Sequence, residues 1–294
     1  MNRQHYGRCA LCGKEDKLTF EHIPPRSSFN EGHYRCYSGI DILTDNSRLP
    51  WELDGRKNSI QQKGAGGYTL CQPCNNLTGA LYGNAYMEMA HAGALALRDA
   101  QGKEPAAIGF YDMYVARFAK QVLSFFCSIN NDSVVNAVTL PQSAENPDTS
   151  TEILHKIMTA QVDFYRAAQV IDELRQFVLD KNATNLDRKK FRLCMYFYAG
   201  SLQISNPISA KANIVQNTTI VLSEVTAYPF GFILYINPTE DQPYDGIDIT
   251  SFADYGYDDK CSFEVKFTLL ERNSSIPCDY RTRKQICDDI NSNQ

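Results

Sequence analysis

The chain has 294 residues, 43% of them hydrophobic and 21% charged, with a formal net charge of −5. These proportions are those of a folded globular protein and exclude a disordered chain, a collagen-like repeat and a coiled-coil rod. The acidic balance also denies the chain the overall basic field that nucleic-acid binders usually carry. The charge is unevenly spread, however. Residues 1–100 carry 11 Lys and Arg against 10 Asp and Glu, whereas residues 101–294 carry 18 against 24. Four of the five histidines (His5, His22, His33 and His91) also fall in the first hundred residues, with His155 outside them.

No apolar run reaches the length of a membrane-spanning helix, and Met1 to Tyr6 has no apolar signal core. The expectation is therefore a cytoplasmic protein, not a membrane one, with reduced thiols. Ten cysteines are too few for a disulfide scaffold of this length. In a reducing compartment, paired cysteines point to a metal instead.

In chain order, residues 1–20 are short and turn-rich around Cys9, Cys12 and Gly13. Residues 24–67 are punctuated by Pro24, Pro25, Pro50 and a series of glycines, which predicts loop with at most short strands. Gly67 to Leu70 reads as a brief strand running into Cys71, and a helix follows from about Asn75 to Arg98, weakened at Gly79 and Gly83. Gln101 to Pro105 is a candidate boundary. After it, Tyr111, Tyr114, Val115, Phe118, Val122, Phe125 and Ile129 recur at helical spacing. Residues 130–150 are polar, and helix resumes over about 151–180 with Val170, Ile171, Leu174, Phe177 and Val178 on one face.

The last hundred residues change period. Phe191–Tyr198, Thr218–Val225, Phe230–Ile236 and Phe263–Leu269 read as strands, the last with Phe263, Val265, Phe267 and Leu269 alternating with polar residues. The fold class expected is α+β: a metal-stapled N-terminal domain over 1–100, then an α+β domain over 101–294 with helices followed by a mostly antiparallel sheet.

Cys9-Ala10-Leu11-Cys12 and Cys71-Gln72-Pro73-Cys74 are two CxxC pairs. One such knuckle points two thiolates at a single centre, and two complete a closed tetrahedral zinc site when the fold returns them together. A zinc of this kind only holds shape. Chemistry would come from Thr19-Phe20-Glu21-His22-Ile23-Pro24-Pro25, where a carboxylate directly precedes a histidine, and from Asn75 at the start of the helix after the second knuckle.

In the order CALC, FEHIPP, LCQPCNN and helix, the chain resembles the HNH endonucleases of ββα-metal fold, in their zinc-stapled branch. The resemblance covers roughly residues 5–95. It implies a metal-dependent nuclease that hydrolyses DNA phosphodiester bonds. His22 would be the general base that takes a proton from the attacking water, a task suited to neutral imidazole. Glu21 matches the family acid that binds the catalytic divalent ion, and Asn75, preferred by register over Asn76, the second ligand. The resemblance thus implies two kinds of metal: a structural Zn²⁺ on Cys9, Cys12, Cys71 and Cys74, and a catalytic Mg²⁺ or Mn²⁺ on oxygen ligands. The family's middle Asn, which orients the base, has no counterpart in Gly64 to Leu70. Asn46, Asn58 or a backbone carbonyl is left to take that role.

Arg26, Arg35, Arg48, Arg56, Lys57 and Lys63 lie around the candidate site and could meet DNA phosphates, although Glu31, Asp41, Asp45, Glu52 and Asp54 are interleaved. His33 and His91 read as an exposed loop residue and a structural helix residue. Of the other cysteines, Cys127 and Cys194 sit in apolar runs and read as core, while Cys36, Cys261, Cys278 and Cys287 have no pairing pattern. Asp245, Asp248, Asp254, Asp258 and Asp259 match no calcium-loop spacing.

By analogy, stand-alone proteins of this layout suggest defence against phage or foreign DNA, with residues 101–294 serving regulation through a small molecule or protein, recognition, or assembly of a homodimer. The alternative from a different class is a non-catalytic, zinc-stabilised nucleic-acid-binding module. The Glu-for-Asp change and the absent middle Asn favour it.

Overall fold

The structure, a computed structural model, describes residues 4–38, 47–48, 52–100, 107–131, 170–200, 204–213 and 218–269. Asn46, Cys278 and Cys287 lie outside the described residues, as does His155. The described part is α+β and its strand pairs are almost entirely antiparallel.

The N-terminal finger has three strands, β1 (His5–Arg8), β2 (Glu15–His22) and β5 (Gly66–Cys71), in the order β1-β2-β5. The loop between β2 and β5 carries a small two-stranded ladder of β3 (Tyr34–Cys36) and β4 (Ser59–Gln61). Helix α1 (Gln72–Thr78) starts where β5 ends, with Pro73 in its first turn, where a missing N–H costs nothing. A π-helical turn, Gly79–Gly83, then leads into α2 (Asn84–Asp99). The single helix expected over 75–98 is therefore present in length but widens between its two glycines, where the backbone tolerates irregular winding.

The helix read from Tyr111 onward is corrected. Ala107–Met113 is strand β6, and helix α3 (Val115–Ile129) begins only after Tyr114. The reason is a distant partner. Strand β12 (Cys261–Lys266) pairs antiparallel with β6 and buries Phe110 against Phe263, ring centroids 5.2 Å apart, while Tyr111 is left 70% exposed. Strand β12 also shows the expected alternation, although it starts and stops earlier than Phe263–Leu269. It belongs to this ladder rather than to the main sheet.

The main sheet has five strands in the order β11-β7-β10-β9-β8: β7 (Phe191–Phe197), β8 (Ile204–Asn213), β9 (Thr218–Ala227), β10 (Phe230–Ile236) and β11 (Ile247–Asp248). Three of these match the expected strands closely, and β8 and β11 are additional. A helix over 170–179, α4, buries Ile171, Leu174 and Val178, and the rest of the expected 151–180 helix lies outside the described residues.

Helix α3 is buried on nearly every side and packs against α2, the π-helical turn and the five-stranded sheet. Its Phe118 stacks on Tyr86 of α2 at 5.6 Å and meets Phe232 of β10 at 5.8 Å. One apolar core thus runs from Leu11, Leu70 and Cys71 of the finger through Tyr86 and Phe118 to Phe230 and Leu234 of the main sheet. Cys127 and Cys194 are fully buried, as their apolar settings suggest.

Candidate functional site

The first knuckle forms because Gly13 takes φ +71°, a left-handed conformation that glycine adopts without strain. The chain then folds back, with Gly13 N–H donating to Cys9 O at 2.9 Å and Cys9 N–H to Lys14 O at 2.8 Å. Ala10 N–H donates to Thr69 O at 2.8 Å and docks this knuckle on β5, whose last residue is Cys71. Cys74 follows in the first turn of α1.

The four sulfurs of Cys9, Cys12, Cys71 and Cys74 lie within 4.8 Å of one another, and Cys12 Sγ is 3.8 Å from Cys71 Sγ. Tetrahedral zinc with Zn–S bonds of about 2.3 Å requires sulfurs about 3.8 Å apart, so the donor set fits that ion. The sulfur electrostatics agree. The hydrogen bond with Cys74 holds the Cys9 thiol down at about 4, against the opposing effect of burial. Cys74 is driven upward, first by the same bond to Cys9 and then by burial. A crowded thiol set that gives up one proton easily and resists losing the next is stabilised by a divalent cation. Among the described residues this is the only such group of metal-ligating side chains.

Glu21 and His22 are adjacent on β2, so their side chains leave opposite faces of the sheet. Glu21 points inward and is 3% exposed. Its Oε2 accepts hydrogen bonds from Thr69 of β5 at 2.8 Å and from Ser128 of α3. Thr69 sits at an irregularity in the β2–β5 register, which lets its hydroxyl reach across. Glu21 Oε1 is buried with no partner. Burial pushes this carboxyl up to about 7, against the pull of the Ser128 and Thr69 hydroxyls.

His22 is half-buried on the other face, and its Nε2–H donates to the backbone carbonyl of Lys63 at 2.6 Å. A carbonyl only accepts, so in the neutral ring Nδ1 keeps the lone pair. The backbone carbonyl, of the alternatives weighed above, therefore orients this imidazole. Asn58 instead bonds locally to Arg56 O at 3.0 Å.

The residue that holds the Lys63 loop in place is Asn30, which sequence reasoning missed. It is 1% exposed and donates to Pro24 O at 2.6 Å and Ala65 O at 2.8 Å, while its Oδ1 accepts from Ala65 N–H at 2.7 Å. Two glycines let this loop lie flat on β2. A Cβ on Gly64, where φ is +87°, would come within 2.6 Å of Asn30 O, and one on Gly66 within 1.9 Å of Glu21 O. The cue in sequence was only a Gly-rich segment opposite an Asn-bearing loop, with nothing to mark Asn30 among the other asparagines.

Asn75 faces β2 and donates through Nδ2 to Thr19 Oγ1 at 3.0 Å and Phe20 O at 3.1 Å, while Asn76 is exposed. Glu21 and His22 on β2 and Asn75 on α1 thus lie on neighbouring elements, each with its own partners, and among the described residues no hydrogen bond joins them. The oxygens that would hold a hard cation are the orphaned Oε1 of Glu21 and Oδ1 of Asn75. Mg²⁺ completes so sparse a set with water and substrate phosphate, and the buried Oε1 is closed to both as the side chains stand.

Of the six cations expected around the site, Arg56 is buried and donates to Glu52 O at 2.8 Å, and Arg48 donates to Asp54 O at 3.0 Å. Arg26, Arg35, Lys57 and Lys63 remain exposed. His33 and His91 are exposed, His91 bonding Ser27 O at 3.2 Å. The C-terminal aspartates go to structural pairs, such as Asp258 with Arg117 at 2.6 Å and Asp248 with Arg192 at 3.5 Å. No helix among the described residues is long and apolar enough to cross a membrane. No family model matches the chain, and no curated protein or solved structure matches it either.

Proposed function

We propose that the chain is a zinc-stabilised nuclease of HNH type that hydrolyses phosphodiester bonds in DNA, with His22 as the general base. The observation that carries this reading is the fixed imidazole. His22 stands at the end of a strand in a strand–strand–helix unit stapled by four cysteines, and its Nε2–H is committed to the Lys63 carbonyl. The lone pair on Nδ1 is then presented in one orientation, which is what proton abstraction from water needs. Asn30 and the Gly64–Gly66 backbone keep that orientation by fixing the carbonyl.

The resemblance would have Glu21 and Asn75 hold a divalent cation that stabilises charge at the scissile phosphate. Since both lie on the side covered by α1 and α3 while His22 faces the open side, that role requires the Glu21 carboxylate to turn out past the end of β2. The chain's own contribution is to orient the base and to keep the finger rigid. The test is cleavage of plasmid DNA by zinc-loaded protein with Mg²⁺ or Mn²⁺. His22→Ala is expected to lose at least about 100-fold in rate while retaining its zinc, in line with the usual contribution of a general base. Equal cutting by the variant overturns the assignment.

One observation favours the rival reading of a non-catalytic module: the Glu21 carboxyl is sealed from water and clamped by Thr69 and Ser128. Glu21→Gln separates the two. As a metal ligand, Glu21 makes the variant need far more Mg²⁺ for cutting. As a purely structural acid, it leaves the metal dependence of any activity unchanged.

A further inference from the structure

The face of the finger sheet opposite Glu21 carries a row of aromatic rings that the nuclease reading does not use. His5 of β1 stacks on Tyr68 of β5 with ring centroids 3.7 Å apart and planes at 13°. Phe20 of β2 meets Tyr68 edge-on at 5.4 Å and His22 edge-on at 5.1 Å. The row therefore crosses all three strands and ends on the candidate base. Tyr68 is 40% exposed, and His5, Phe20 and His22 are partly exposed. Helices α1 and α3 cover the other face, where Asn75 and Ser128 reach β2, so the ring face is left open by them.

Interlocked rings left partly open to water beside a candidate active site offer stacking area to a flat ligand. Each ring is held by its neighbour, so little side-chain freedom is lost on binding. We propose that this row is a stacking platform for unpaired bases, and that the substrate enters His22 as single-stranded nucleic acid. The proposal rests on the nuclease reading for its direction toward His22, but its binding readout does not.

Charge argues for the same occupant. Residues 1–100 hold only one more cation than anion, and Arg56 is turned inward. Duplex DNA offers phosphates and hides its base faces, so a finger with this balance has little to grip it by. A single strand exposes base faces, and stacking on aromatic side chains binds them with little regard to sequence.

The test is fluorescence anisotropy with zinc-loaded full-length protein and no added Mg²⁺ or Mn²⁺. The probes are a 12-nucleotide DNA strand, its duplex, and an abasic strand of the same length. The single strand is expected to bind at least about 10-fold tighter than either other probe. Tyr68→Ala should weaken single-strand binding about 10-fold and leave duplex binding unchanged, and Tyr68→Phe, which keeps the ring, should bind as wild type. Because Tyr68 lies at the surface, unchanged zinc content and melting temperature identify the loss as a binding effect.

Equal affinity for the abasic strand, or no effect of Tyr68→Ala, overturns the platform. Tyr68-dependent single-strand binding by a protein that never cuts supports the platform and overturns only the nuclease reading. Cutting of the single strand by wild type and Tyr68→Ala at equal rates, at strand concentrations below saturation, does the reverse.

Discussion

Strand β2 of the finger and strand β10 of the main sheet are eight and seven residues long, and they are held in opposite ways. In β2 only Glu21 is fully buried, and three of its residues are exposed. In β10 every residue is buried, with Phe230, Phe232 and Leu234 facing the α3 core and Ile233 and Tyr235 in a second apolar cluster. A strand that buries both faces draws its stability from apolar area removed from water. A strand that keeps one face open cannot, and the finger substitutes four clustered cysteines fit to hold a metal and a short list of buried polar bonds. The open face is thereby released from packing duty, which is the condition for placing His22 and the ring row there.

The largest way to break this contrast is to deny the four cysteines a metal ion. A structural zinc site contributes on the order of 10 kcal/mol to the fold that forms it. Chelation or Cys74→Ser should strip hydrogen-exchange protection from β1, β2 and β5 while β7 and β10 keep theirs. Simultaneous loss in both regions would mean that the shared core, through Leu11, Leu70 and Cys71, makes finger and sheet one cooperative unit. A smaller perturbation attacks the other side. Phe232 contacts the rings of Phe118, Phe230 and Tyr86, and Phe232→Ala should cost about 3–5 kcal/mol, read as a lower urea midpoint at unchanged zinc content.

These two regions also differ in how far their sequences reveal them. The knuckles are legible because each is a local pattern whose chemistry is carried by two cysteines at fixed spacing. Strands β7, β9 and β10 are legible because their apolar runs are dense and strand-length. Strand β6 was not, because the tyrosines at 111 and 114 mimic helical spacing and its partner β12 lies about 150 positions away. The site's supporting parts were the least visible. Asn30 acts through backbone carbonyls, Lys63 contributes its own carbonyl rather than its charge, and Ser128 reaches Glu21 across 107 positions. None of these roles follows from residue type, since each depends on where the chain returns.

The apolar side of the contrast is itself not free of charge, and the smallest prediction uses this. Lys120 of α3 is 1% exposed. Its Nζ donates to the carbonyls of Phe177 and Asp180 at the end of α4 and lies 4.4 Å from the centre of the Phe177 ring. Burial lowers its pKa to about 8, with the nearby Asp180 charge opposing. The unfolded chain keeps this proton up to about 10.5. Between pH 8 and 10.5 the unfolded state therefore binds more protons than the folded one, and the group's contribution to stability rises with pH, by up to about 3 kcal/mol.

Cys127 and Cys194 act in the opposite sense. Burial pushes both up to about 12, so above about pH 9 the unfolded chain loses their protons first and their contribution falls. Subtracting the profile of Lys120→Met from that of wild type removes the thiol effect common to both. The difference should climb through pH 8 to 10. A flat difference would mean that the amine reaches water through the end of α4, and that the core beside the main sheet is less closed than the burial of β10 implies.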